Sequence, residues 1–449
     1  MTRRRTMSKM YGKVPWTHKS GPYKKDPHRL REGPSIVTRS QAALADTSLL
    51  LRVPEEVFHM ILDQLSVRDI SVFSMISKEI TSCVVDYIST IAWRNKNIIR
   101  CSHPITTIQQ RATLGHYRDL GLLFKRCTLL QPTKERLKFI FSKFSQIPCF
   151  LLEQCDVPDC RGFTCYGAFL QTLIAGWDEL ECHRVFNFLC DLTNLLQKTE
   201  GVVMAKPGVK RHQELQLRLF CRHVLLNPWL DQSEGQFWLM LLLKPWPLFN
   251  QAKILFILYG PLLPEGVLGW QDVVVSVLPH NSLWELAKAI LVLFSKMEVR
   301  GWSSDSMLAI FEELIVIPEQ WHIENVARLL VLCGSSLCYT ILASKALNGR
   351  LPEVSRLIVF IILVCQKDGY HISWAVKLVQ AIWKAISTPP ERFNFILQLE
   401  NTFSDVTKEF YEQAAAGNHE ENRESFQSFC ILLESSARFH TKFLQVLLK

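Results

Sequence analysis

Fourteen cysteines and thirteen histidines are the side chains with the widest chemical reach in this 449-residue sequence. The densest group is Cys149, Cys155, Cys160 and Cys165, with Cys182-His183 further along. A structural zinc site sets its ligands two to four residues apart, so that one tight turn aims two thiolates at the ion. Gaps of six, five and five do not achieve this, and these cysteines read as ordinary buried or loop thiols. The other cysteines lie inside apolar segments such as Phe188-Leu189-Cys190, Val331-Leu332-Cys333 and Leu363-Val364-Cys365, the usage of reduced, core-filling thiols in an intracellular protein. His419-Glu420-Glu421 lacks the second histidine of a zinc helix. Neither a Gly-rich phosphate loop nor a Gly-x-Ser-x-Gly nucleophile turn is present. The sequence therefore predicts no catalytic residue, no metal and no cofactor.

Charge is the second chemical resource, and it is unevenly placed. Residues 1–40 hold eleven Lys or Arg, beginning with Arg3-Arg4-Arg5 and including Lys24-Lys25, against Asp26 and Glu32. They carry the whole net charge of +9, so the other 409 positions are formally balanced. Such a leader could contact phosphates or serve nuclear import, but only Tyr11, Trp16 and Tyr23 are available for base stacking. Its prolines and missing apolar period predict a solvated, disordered tail over residues 1–43. No apolar stretch follows the basic start, as a secretory signal would require. The longest apolar runs, Leu357–Cys365 and Phe237–Leu243, fall well short of the ~20 residues that span a bilayer. Localisation is expected to be intracellular, in the nucleus, the cytoplasm or both, with no membrane partner.

Helices must position whatever this chain does. Val57, Ile61, Leu62 and Leu65 share one face of a helix of about eleven residues opened by Pro54, a residue suited to a first turn. Ser66 stands three residues before Asp69 in a capping-box arrangement, and Ile70, Phe73 and Ile76 or Ser77 continue a second short helix. Ile80, Val84 and Ile88 mark a third. The 3.6-residue period recurs at Glu135–Phe144, Asp178–Leu196, Glu214–Leu225, Leu283–Phe294, Met307–Ile315, Val326–Leu332, Val354–Val364, Trp374–Ile386 and Phe426–Leu448. Breaks fall at Lys206-Pro207-Gly208, Gly260-Pro261, Gly301 and Pro389-Pro390, and Val273–Leu278 alone looks strand-like. The expected fold is all-α: a three-helix unit over residues 44–92, then a large helical domain over 93–449 built as stacked helical hairpins or an irregular α-solenoid.

The stretch from Val53-Pro54-Glu55-Glu56 through Leu62, Leu65 and Asp69-Ile70, followed by Ile76-Ser77-Lys78, resembles an F-box. Val53 stands where the motif commonly has Leu, and Trp93 is the nearest Trp downstream of Lys78. Leu120–Ile140, Thr164–Leu195, Leu243–Pro247 and Ala343–Arg350 extend the resemblance to F-box proteins that carry neither a propeller nor leucine-rich repeats. The resemblance implies a non-catalytic substrate-recognition subunit of a Skp-cullin-F-box ubiquitin ligase. In it the F-box docks a Skp-type adaptor, and through it a cullin and a RING protein. The helical body would recruit a protein target, phosphorylated or not. It also implies an association with germ cells. A domain of about forty residues is near the lower limit of independent stability, so its short helices are expected to bury apolar surface against something else. Pro54, Val57, Ile61, Leu62, Leu65, Ile70 and Phe73 are the candidate adaptor-binding residues, some facing a partner and others holding the helices together. The rival reading is a helical scaffold with a nucleic-acid-binding basic tail and no ligase role.

Overall fold

Single side chains set where many of the helices begin. Ser66, Ser77, Thr90, Asp178 and Ser303 each accept a hydrogen bond from the backbone N–H three residues on, satisfying a donor that an uncapped helix leaves orphaned. At Ser66 the box closes as expected: its Oγ accepts from the Asp69 N–H at 3.1 Å and donates to the Asp69 carboxylate at 2.6 Å.

The computed structural model describes residues 53–98, 107–144, 152, 161–229, 234–294, 303–416 and 421–447. The basic leader and Cys149, Cys155 and Cys160 lie outside them. Contacts divide the chain into two compact units, Met1–Phe58 and His59–Lys449. Of the first unit only residues 53–58 are described: Pro54 accepts from the Phe58 N–H and opens α1 (Glu55–Asp63). There follow α2 (Val67–Phe73), α3 (Lys78–Ser89) and α4 (Ile91–Asn97). Ile80, Val84 and Ile88 form the buried face of α3, as their spacing predicted.

Helices α5 (Thr107–Cys127), α6 (Thr133–Phe144), α7 (Arg161–Ile174), α8 (Glu179–Thr193), α9 (Leu195–Val203) and α10 (Arg211–Phe220) come next. Close backbone approach decides two glycines. A Cβ on Gly121 of α5 would lie 2.8 Å from the Phe169 carbonyl of α7, and one on Gly167 would lie 2.1 Å from the His223 carbonyl. His223 belongs to a π-helical turn, Cys221–Leu226, that extends α10 and is widened where α7 leans on it.

The rest of the chain reads α11 (Glu234–Leu243), α12 (Leu248–Tyr259), α13 (Asp272–Val275), α14 (Trp284–Phe294), α15 (Ser304–Leu314), α16 (Ile323–Leu332), α17 (Gly334–Leu347), α18 (Leu351–Lys367), α19 (Ser373–Ala385), α20 (Pro389–Ala416) and α21 (Glu421–Leu447). Alternate helices stack: α10 on α12, then α14, α16, α18 and α20 in one row, with α17, α19 and α21 in another. Pairing of helix i with i+2 is what a helical repeat array produces, since each repeat buries its apolar face against the next. Within the first row long buried stretches run through α12 and α18. In α18 every residue from Leu357 to Cys365 is covered, and in α12 every residue from Asn250 to Tyr259.

The strand expected at Val273–Leu278 is instead the single turn α13 followed by an extended segment, and the described residues hold no strand beyond an isolated bridge between Leu262 and Leu268. A side chain replaces the missing partner strand. Asn325 of α16 donates to the Val273 and Ser276 carbonyls and accepts from the Leu278 N–H, while Arg328 donates to the Leu278 carbonyl. These bonds satisfy the apolar segment's backbone without a sheet.

Candidate functional site

The residues singled out from sequence separate by exposure. In the first unit Pro54 and Val57 are exposed. In the second, Ile61 is 39% exposed, and Leu65 and Phe73 are half-buried. Leu62 and Ile70 are buried, at 0% and 2%. Leu62 and Ile70 thus fall among the residues that hold the helices together, a role the sequence reading already allowed for part of the set. Sequence spacing could not make this separation, because a short helix presents one apolar face whether it is covered from inside or outside.

Exposure also adds residues outside the candidate adaptor-binding set. Met60, Val72, Met75 and Ile76 are each more than half exposed. The signal was present in the sequence as apolar residues off the expected stripe, Met60 beside Ile61 and Met75-Ile76 just past α2. One face of α2, built from Val67, Ile70 and Ser71, packs on α5, and Arg126 of α5 donates to the Ser71 hydroxyl at 2.7 Å. Away from α5 the helix exposes Arg68, Asp69 and Val72, and Met75 and Ile76 follow just past its end. A cluster of apolar side chains on a folded surface marks a place for a protein partner, and methionines suit a contact that must adapt its shape.

The underside of this region is polar and fixed. Tyr87 of α3 donates to the Asp63 carboxylate at 2.8 Å, and Lys96 of α4 donates to the same carboxylate at 3.2 Å. The tyrosine hydrogen bond, aided by Lys96, holds Asp63 below the ordinary carboxylate range, while burial and the Asp63 contact push the Tyr87 phenol up. Trp93, which sequence left unassigned, is buried with its ring 6.4 Å from Tyr87 and 6.3 Å from Phe124 of α5. Helices α3 and α4 are thereby joined to the helical body.

None of the ten cysteines among the described residues is in a disulfide, and burial raises Cys127 to about 11 and Cys190, Cys333 and Cys365 to about 12, so these four remain neutral thiols. Among the described residues no three His, Cys, Asp or Glu side chains gather as a metal site, and no helix is long and apolar enough to cross a membrane. Buried cations are committed to structure. Lys253 donates to the Val203 and Ala205 carbonyls at the end of α9, and Arg218 to the Ile257 and Gly260 carbonyls at the end of α12. Arg328 and Lys367 pair with Glu324, and Arg328 pairs also with Asp368.

Comparison with known proteins agrees with this geometry. A family model described as "FBXO47, ARM repeats" matches residues 191–449, the span of the alternating helical rows. The chain is 46% identical over 397 residues to "F-box only protein 47" of Mus musculus, covering 87% of this chain and 88% of that protein. It is 45% identical to "F-box only protein 47" of Homo sapiens over the same length and shares. No solved structure matches the chain. With an ARM-repeat family model over residues 191–449 and relatives that share close to half its residues over 87% of its length, the chain belongs to the F-box-only protein 47 family.

Proposed function

We propose that this protein is the substrate-recognition subunit of a Skp-cullin-F-box ubiquitin ligase and carries no catalytic residue of its own. Residues 44–92 form the F-box, whose exposed apolar side chains dock the Skp-type adaptor, and the adaptor brings the cullin and the RING protein. Residues 93–449 hold the protein target. It works inside the cell, in nucleus or cytoplasm, and its family resemblance points to germ cells.

The observation that carries this reading is the uncovered apolar surface of residues 60–76 in a member of an F-box family: Met60, Ile61, Val72, Met75 and Ile76 are exposed on a unit whose opposite face is already packed. An exposed apolar set of this kind has a thermodynamic reason to be covered. The division of labour follows from size, because about forty residues occupied by an adaptor leave little surface to read a target. Affinity purification of the tagged full chain tests the proposal: adaptor and cullin should copurify in stoichiometric amounts. Their absence, together with recovery of nucleic acid through the leader, would favour a scaffold.

A further inference from the structure

The break at Pro389-Pro390, between α19 and α20, holds a chemical feature that the proposed function does not use. Of the chain's twenty prolines Pro389 alone follows a Ser or Thr, so Thr388-Pro389 is its single Ser/Thr-Pro step. Ser387, Thr388, Pro389, Pro390 and Glu391 are all exposed. The segment leaves α19 in extended backbone, with ψ of 124° at Ile386. Proline after Thr388 disfavours a helical conformation there, which keeps the hydroxyl-bearing residue outside α20.

A protein kinase needs its acceptor hydroxyl on an accessible segment that can lie in line with the γ-phosphate of ATP. Proline-directed kinases offer no acceptor to the backbone N–H of the next residue. Proline fits such a site, whereas any other residue would leave a buried N–H unpaired. The local fold yields to this demand at small cost. Pro389 and Pro390 have no N–H, so the first turn of α20 has few backbone bonds to give up. What must open is the bond from the Thr388 hydroxyl to the Glu391 carboxylate at 2.7 Å, with the Glu391 N–H to that hydroxyl at 3.4 Å and the Arg392 N–H to the Thr388 carbonyl at 3.0 Å. Behind them Arg392 stays anchored. It donates to the Ile386 carbonyl at 2.7 Å, with its guanidinium 4.9 Å from the Trp383 ring centre.

We infer that Thr388 is a phosphorylation site for a proline-directed protein kinase. The Thr388 Oγ1 forms a bond to the γ-phosphorus of ATP while the bond from that phosphorus to ADP breaks, and the hydroxyl proton passes to the kinase's base. The product has no hydroxyl proton for Glu391 and sets a phosphate beside its carboxylate, so a hydrogen bond at the start of α20 is exchanged for a repulsion. The inference goes beyond the proposed ligase role and does not depend on it.

The test treats the purified full chain with a recombinant proline-directed kinase and Mg-ATP, and follows phosphate by site-resolved mass spectrometry. About one phosphate per chain should appear, on Thr388, at a rate within about tenfold of that for a free peptide of residues 382–396, since opening one exposed turn costs little. Pro389→Ala should slow the reaction by about tenfold or more, the effect of one unpaired N–H in the kinase site. Alanine suits a first helical turn, so the circular dichroism of that variant should match wild type. Ser387→Ala should be phosphorylated as wild type is, and Thr388→Ala should take no phosphate in this segment. Phosphorylation of the peptide but not of the full chain, phosphate on other residues in place of Thr388, or an undiminished rate with Pro389→Ala would each overturn the inference. Refusal of the peptide as well as the full chain would overturn it too, because the sequence itself would then be no substrate.

Discussion

Ile61 and Leu62 are sequence neighbours with opposite surroundings, the first open to solvent and the second fully covered, and the difference sets what each substitution does. Leu62→Ala should cost about 3 kcal/mol through a cavity that its neighbours fill only in part, seen as a lower melting temperature of the full chain. Ile61→Ala should change stability by no more than about 0.5 kcal/mol. Asp63 gives the pH signature of the same region. Its carboxyl is held below the ordinary value by the Tyr87 hydrogen bond first and Lys96 second. The stabilisation is therefore present above the unfolded-state value near pH ~4 and is lost as pH falls through the depressed folded value. Asp63→Asn should thus be destabilising at pH 7, with the gap to wild type closing under acid, as urea titrations at the two pH values would show. A gap that stayed constant with pH would mean that the Asp63 charge plays no part.

At the scale of elements, helices with one apolar stripe were legible from the sequence and helices apolar all round were not. Ile80, Val84 and Ile88 declared α3, and Trp374–Ile386 marked α19 within a residue of its true ends. By contrast α11, α12 and α17 lie among other helices, so their apolar residues surround the axis and leave no 3.6-residue contrast to detect. Pro389-Pro390 signalled a break, correctly, but the same pair also opens the 28-residue α20, proline being tolerated in a first turn. The approach of α7 to the π turn was invisible, because a glycine in a helical sequence does not announce what it touches. That contact is testable: Gly167→Ala should destabilise by about 3 kcal/mol, since a methyl group cannot sit 2.1 Å from a backbone carbonyl without shifting a helix. Gly115→Ala, in α5 with nothing within 4 Å, should be neutral or stabilising by up to about 1 kcal/mol. Thermal unfolding of the two variants side by side checks both, and similar behaviour would mean that the close approach of α7 is not maintained in solution.

For the whole molecule, the two halves of the proposed role place opposite demands on surface chemistry. An ARM-type array stabilises itself by stacking alternate helices, and its buried cations are spent on the carbonyl ends of neighbouring helices. That leaves the outer surface free to hold a target. The exposed side chains of Met60, Ile61, Val72, Met75 and Ile76 have no such internal use. The F-box resemblance was legible because its motif is local, whereas the sorting of Ile70 inward and of Val72 outward depends on α5, some forty residues downstream of α2. The most direct measurement is the equilibrium affinity of purified Skp-type adaptor for the full chain. Ile61→Ala combined with Met75→Ala should weaken it by roughly thirtyfold or more, the loss of about 2 kcal/mol that a docking hot spot commonly represents. Circular dichroism and melting temperature should stay those of the wild type, and Arg68→Ala, exposed on the same helical unit, should bind within about twofold of wild type. Undiminished adaptor binding by the folded double variant, or no binding by the wild type, would contradict the assignment of this surface to the adaptor.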